Sequence, residues 1–177
     1  MLIHHVLLGL GANLASHAGP PEATLGAALI AIAEVAGPVV ACSSLYRSPA
    51  WPDPADPAYV NLVAVIATGE APAALLPILR SVESAFGRKP SPRNAPRPLD
   101  IDIIDHGGLV MDTPTLVLPH PRLKNRAFVL VPLAEIMPAW RHPGTGEKVG
   151  DLLASLPVGD VQKTVLIGPR PILGKSS

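Results

Sequence analysis

The chain is predicted to adopt an α+β fold of the ferredoxin-like type, β-α-β-β-α-β, with an antiparallel sheet, helices on one face and a C-terminal extension. Three observations predict it. Apolar periodicity switches from strand-like to helix-like in that order. The 177 residues suit one domain with a single core. Aromatics make up only 3 % against 48 % hydrophobic residues, so Leu, Val, Ile and Ala must build that core.

Each element has its own signal. Val6 to Leu10 is a short apolar run stopped by Gly9 and Gly11, which reads as a buried strand opening into a loop. Leu25, Leu29, Ile32 and Val35 share one helical face, closed by Gly37-Pro38. Val39 to Tyr46 and Tyr59 to Thr68 are β-branched runs of strand length. The loop between them, Ser48 to Pro57, holds four of the 22 prolines and cannot be regular structure. Leu75, Leu79, Val82 and Phe86 mark a second helix that Gly87 ends; Pro77 inside it predicts a kink or a later start. A second proline-rich loop, Arg88 to Pro98, leads into Leu99 to Ile103, and Gly107-Gly108 then turns the chain. Val129 to Ile136 is a last apolar helix or turn, and Val161 to Ile167 adds an edge strand. Residues 1–167 are expected to form one domain and residues 168–177 a loose tail.

Composition excludes several classes. Basic and acidic residues balance at 14 each, so no global field attracts nucleic acid or anionic membranes. Scarce aromatics argue against a single-strand nucleic-acid platform. The one cysteine, Cys42, lies in an apolar run and reads as a small core residue. The N-terminus lacks a basic stretch before its apolar residues and no apolar run reaches membrane-spanning length, so a soluble, cytoplasmic protein is expected.

The chemistry concentrates around Asp100 and Asp102. Strand alternation puts both carboxylates on one face and Leu99, Ile101 and Ile103 on the other, with the two Asp Cα atoms about 7 Å apart. Like charges so placed suppress each other's ionisation unless a cation lies between them. Magnesium, held by one or two carboxylates plus substrate phosphates, fits that pattern. The loop before the strand carries Arg88, Lys89, Arg93 and Arg97 and no acid. Such a pairing serves a phosphate-and-metal site, with cations for the oxygens and carboxylates for the metal. The segment Pro119 to Phe128 adds His120, Arg122, Lys124 and Arg126, which suggests a polyphosphate wrapped from two sides. No G-x-x-x-x-G-K-[ST] is present, and Gly9-Leu10-Gly11 lacks the third glycine of a dinucleotide fingerprint, so side chains must hold the phosphates.

With these residues in view, the chain resembles the 6-hydroxymethyl-7,8-dihydropterin pyrophosphokinases of folate biosynthesis. The resemblance runs from about Leu7 to Pro138. It rests on Gly9-Leu10-Gly11-Ala12-Asn13-Leu14, Ser44 to Pro49, Tyr59-Val60-Asn61, Glu83 with Gly87-Arg88, Pro96 to Asp102, and Pro119-His120 with Lys124-Asn125-Arg126 and Phe128. The R-x-L-D-[IL]-D segment followed by P-H-x-x-x-x-N-R is highly specific to that family.

The resemblance implies transfer of pyrophosphate from ATP to the pterin hydroxymethyl group, with release of AMP. It implies that Asp100 and Asp102 bind two magnesium ions and that Arg88, Arg97, His120 and Arg126 contact the triphosphate or its departing AMP. Glu83 and the backbone near Ile103 would lie by the nucleoside. The pterin would slot between Phe128 and Tyr59, with Asn61 and the backbone of Ser48, Pro49 and Trp51 reading its hydrogen-bonding edge. A monomer acting on small molecules, without nucleic acid or membrane, is expected. Three departures stand out: Asn94 where the family often has tryptophan, a loop one residue shorter before Pro96-Arg97, and Thr115 where a basic residue is common. Two rival classes remain at this point. A ferredoxin-like nucleic-acid or regulatory module would need exposed strand aromatics and a basic face, and a metal-dependent phosphohydrolase would need the Asp pair but no pterin-sized slot.

Overall fold

The computed structural model describes residues 2–92 and 94–172. Arg93 of the basic loop and the last residues of the expected tail, 173–177, lie outside the described residues. Strand β1 (His4–Ala12) is followed by helix α1 (Pro21–Val35), strands β2 (Val39–Cys42), β3 (Leu45–Ser48) and β4 (Tyr59–Thr68), and helix α2 (Pro72–Ala85). Strand β5 (Asp100–His106) and a small hairpin, β6 (Met111–Asp112) and β7 (Val117–Leu118), come next. Helices α3 (Ala127–Ile136), α4 (Val149–Ser155) and α5 (Val158–Gln162) and strand β8 (Val165–Gly168) form the C-terminal extension.

The main sheet runs β5-β1-β4-β3-β8, with β2 also on β4, and every pairing is antiparallel. The expected β-α-β-β-α-β order is therefore present, with β2 and β3 sharing the place of one strand. Val39 to Tyr46 was expected as one strand and breaks at Ser43-Ser44. Ser43 Oγ accepts the Val63 N–H at 3.0 Å while its own N–H donates to Val63 O at 2.9 Å, and the Ser44 N–H turns to the Glu135 carboxylate. Serine hydroxyls that compete for backbone partners interrupt a ladder in this way.

Helices α1 and α2 cover one face of the sheet, where Leu25, Leu29, Ile32, Leu75, Leu79 and Val82 meet Leu8, Leu10, Leu62 and Ile66. Helix α2 begins at Pro72 and continues through Pro77 rather than starting later. The buried contacts of Leu75, Leu79 and Val82 outweigh the hydrogen bond that Pro77 removes. On the opposite face, α3 and α4 cover one end of the sheet and bury Leu7, Val63, Val65 and Ile104 with Leu130, Leu133 and Trp140. The rest of that face is bare and forms the floor of a cavity.

A register shift lets β5 serve both regions. Leu8 pairs with Ile103 and Leu7 with Asp105, leaving Ile104 as the extra residue. Beyond it, Asp105 is buried and accepts the Trp140 indole N–H at 2.9 Å and the Gly108 N–H at 2.8 Å, which anchors the extension. Cys42 is buried and free, as its apolar setting predicts.

Candidate active site

Period-two alternation holds through the functional half of β5. Leu99, Ile101 and Ile103 are buried on the helix side, and Asp100 and Asp102 face the cavity. Across the ladder Asp100 pairs with Gly11 and Asp102 with Gly9, so no side chain of β1 stands between the carboxylates and the space above them.

Each carboxylate has cationic partners. Asp100 Oδ1 is paired with Arg88 and, at 3.5 Å, with Arg97 Nη1. Asp102 Oδ2 takes Arg126 Nη1 at 3.0 Å and lies 3.7 Å from His120 Nε2. Arg88 is delivered by the end of α2: Gly87 adopts φ +92°, its N–H donates to Ser84 O, and the Arg88 N–H donates to Glu83 O, each at 3.0 Å. This double-bonded helix terminus needs the left-handed residue that glycine supplies.

Glu83, expected by the nucleoside, lines neither recess of the cavity; its Oε1 accepts the Ile101 N–H at 2.7 Å and meets Arg88 Nη1 at 2.5 Å. Burial pushes its carboxyl up to about 7, against the opposing pull of the Ile101 N–H and Arg88. Its position fastens both β5 and Arg88. Ile103 sends its side chain into the core and pairs with Leu8, so only its main chain could face a ligand.

His120 Nδ1 accepts the Arg122 N–H at 3.1 Å, which leaves Nε2 as the protonated nitrogen on the Asp102 side. Burial lowers its pKa, with the Asp102 charge opposing, so the ring is a neutral donor at physiological pH. Lys124 departs from the expected phosphate wrap. It is paired with Glu147 of the C-terminal extension and lines neither recess.

The cavity has two connected parts. The larger, about 750 Å³, is lined by Ser48, Pro49, Trp51, Tyr59, Asn61 and Phe128 on one side and by the two aspartates on the other. The smaller, about 290 Å³, is polar and lined by Arg88, Arg97, Arg122 and Arg126. Asp100 and Asp102 belong to both. A volume of this size suits a drug-sized ligand.

The walls of the larger part are ordered by a few contacts. Asn61 Nδ2 donates to Ser48 Oγ at 2.9 Å, and Asn61 Oδ1 lies where a Cβ on Gly11 would come within 3.1 Å of it. Burial raises the Tyr59 phenol pKa, with Arg97 opposing, so the ring is neutral. Phe128, at the start of α3, lies with its ring centroid 5.5 Å from the Arg126 guanidinium. Trp51 is 70 % exposed and stands at the rim. Asn94, a departure from the family's frequent tryptophan, lies in a left-handed turn with φ +64° and borders both parts. Asparagine is one of the few residues that tolerates that conformation.

Asn125, from the quoted motif, borders the larger part, and Arg122 of the basic segment borders both parts. Asp160, Lys163 and Thr164, from α5 and the turn after it, border the larger part and carry no sequence signal. Nothing in the periodicity of the extension marks those three C-terminal residues.

The donor set fits magnesium. Two carboxylates on one strand face offer hard oxygen ligands, and no group of three or more His, Cys, Asp or Glu side chains is gathered as a metal cage among the described residues. Magnesium so held completes its shell with phosphate oxygens and water.

Comparison with known proteins bears on family and fold. The family model described as 7,8-dihydro-6-hydroxymethylpterin-pyrophosphokinase matches residues 7–138. A Synechocystis 2-amino-4-hydroxy-6-hydroxymethyldihydropteridine pyrophosphokinase is 39 % identical over 151 residues, 85 % of this chain and 75 % of that one. The Pseudomonas aeruginosa protein of the same name is 37 % identical over 163 residues, 92 % of this chain and 98 % of that one. Among solved structures, wild-type Plasmodium falciparum HPPK-DHPS superposes with a TM-score of 0.68 at 14 % identity, over 86 % of this chain and 44 % of that longer one, which supports the fold alone.

Proposed function

The chain belongs to the 7,8-dihydro-6-hydroxymethylpterin-pyrophosphokinase family, and on that premise we infer that its two-part cavity is where pyrophosphate passes from ATP to the pterin hydroxymethyl group. The activity is that of an ATP-dependent diphosphotransferase of folate biosynthesis, with AMP as the second product. One observation supports the assignment of the site: Asp100 and Asp102 border both a larger slot walled by Pro49, Trp51, Tyr59 and Phe128 and a polar recess that Arg88 reaches, so a reaction that joins the contents of the two would occur beside them.

The roles follow from position. The pterin occupies the slot between Phe128 and Tyr59, with Asn61, held by Ser48, and the backbone of Pro49 to Trp51 at its polar edge. Arg88, Arg97 and Arg126, with His120 as a neutral donor, take the triphosphate oxygens. Asp100 and Asp102 hold the metal, which we read as two magnesium ions. Bound magnesium supplies positive charge against the phosphate oxygens. Arg88 and Arg126, paired here with Asp100 and Asp102, carry planar forks that match phosphate oxygens as well as carboxylates, and would turn to phosphate where magnesium held the carboxylates. The pterin hydroxymethyl oxygen attacks the β-phosphorus in line and AMP departs, a displacement that needs alignment and charge stabilisation rather than a covalent enzyme intermediate.

We read the working unit as a monomer acting on small molecules. No helix among the described residues is long and apolar enough to cross a membrane. Chromatography of nucleotides after incubation with ATP, magnesium and hydroxymethyldihydropterin tests the reading. AMP should accumulate only when the pterin is present; ADP as the main product, or AMP without pterin, contradicts it.

A further inference from the structure

Resting on that activity, we propose that Asn13 is a positioning residue that sets the pterin slot and the phosphate recess at their working separation. Asn13 is the first residue beyond β1 and only 4 % exposed. Its side-chain Oδ1 accepts the Arg97 N–H at 2.8 Å, and its Nδ2 donates to Pro57 O at 3.0 Å. Its own N–H and that of Leu14 donate to Arg97 O at 3.1 and 3.3 Å. One buried amide therefore fastens the two proline-rich loops to the end of the strand that floors the cavity.

Each tie reaches a functional group within a few residues. Arg97 stands three positions before Asp100 and pairs with it. Pro57 stands two positions before Tyr59, a wall of the slot. Between the strand ends, within residues 49–58, the other hydrogen bonds among the described residues are local: the Asp56 N–H to Asp53 O and the Ala55 N–H to Asp53 Oδ1. The Asn13 amide is thus that loop's long-range polar tie. Its prolines lack N–H groups with which to make others.

The chemistry of the residue matters. An amide presents an acceptor to Arg97 and a donor to Pro57 at once, and its orientation is determined by those two partners. Aspartate keeps the acceptor but sets a carboxylate oxygen against the Pro57 carbonyl. Alanine removes both ties. Neither change touches a substrate atom, so each loop keeps its own ligand contacts while the distance between the two reacting groups loosens. In-line transfer is sensitive to that distance, and a displacement of about 1 Å can cost about 100-fold in rate.

The test measures Asn13→Asp and Asn13→Ala in the full chain. Calorimetry gives the affinity for a non-hydrolysable ATP analogue with magnesium and, separately, for the pterin, and steady-state assays give kcat. The expected result is affinity for each ligand alone within about threefold of wild type, with kcat lowered by about 100-fold in Asn13→Ala, and a fall in Asn13→Asp that reports the Pro57 tie by itself. Unchanged kcat in both variants overturns the proposal. So does a loss of single-ligand affinity as large as the loss of kcat, which would mean collapsed loops, and so does failure of both variants to fold. An inactive wild type instead refutes the underlying activity, and the inference falls with it.

Discussion

Asp102 is paired in register with Gly9 across the β1–β5 ladder, and the carboxylate therefore projects into the cavity with no neighbouring side chain of β1 beside it. The same holds for Asp100 and Gly11. A strand edge that places two acids over two glycines leaves room for hydrated cations and phosphates above the sheet. It also makes the acids dispensable to the core beneath.

Asp100→Asn and Asp102→Asn should each lower turnover by at least about 100-fold, the loss of several kcal/mol of transition-state stabilisation. Thermal melts should stay close to wild type, because Leu99, Ile101 and Ile103 carry the packing of this segment. Near-normal turnover in either variant would remove that residue from the metal site.

Gly11→Ala should weaken the pterin more than ATP. The added Cβ would come within 3.1 Å of Asn61 Oδ1, so Asn61 must give by a few tenths of an ångström, while Tyr59 Cδ1 at 3.5 Å would be in ordinary contact. A penalty of about 1 kcal/mol corresponds to a roughly fivefold rise in pterin Kd. Calorimetric titration of each ligand separates the effects, and an equal change for ATP speaks against slot crowding.

Glu83 should make stability depend on pH. Its ordinary value of 4.5 is raised to about 7, so across that window the folded protein holds a proton that the unfolded chain has released. Stability contributed by this group is therefore lost as pH rises from about 4.5 to 7 and levels above it. In chelator, the melting temperature of wild type measured relative to Glu83→Gln should fall between those limits; parallel curves for the two proteins would show that the carboxyl titrates elsewhere.

Pro77→Ala should stabilise the protein. The ring is exposed in α2 and contributes little packing, while the missing N–H leaves a gap in the helix ladder. Restoring the bond is worth up to about 3 kcal/mol, reduced by the greater freedom of the unfolded chain. Differential scanning calorimetry should record a rise of about 2–6 °C for a net gain near 1–2 kcal/mol in a domain of this size.

Much of the fold and site was legible because it follows from local rules. Strand β4 has the limits that its β-branched run predicts, Tyr59–Thr68, and Asp100 and Asp102 share a face because side-chain direction alternates along any strand. What escaped depends on tertiary partners. Glu83 is a motif residue, but its identity says nothing of whether it meets a ligand or the Ile101 N–H. Lys124 has the charge for phosphate and is taken by Glu147, 23 residues away. Asp160, Lys163 and Thr164 reach the cavity through tertiary pairing: β8, which follows them directly, pairs with β3, and Trp140 ties the extension to Asp105. The break at Ser43-Ser44 reflects hydroxyl and carboxylate competition that no apolar pattern records.

Helices α3 and α4 roof only one end of the sheet's second face, and α3 stops with Ala127 and Phe128 at the edge of the cavity. The size of molecule admitted is consequently metered by how far that roof extends, with the floor left unchanged. One additional turn at the N-terminal end of α3 would advance the eave by about 5.4 Å. Because Arg126 caps that end of α3 and borders both parts of the cavity, a longer helix would reset the reach of the slot and the position of one recess cation together.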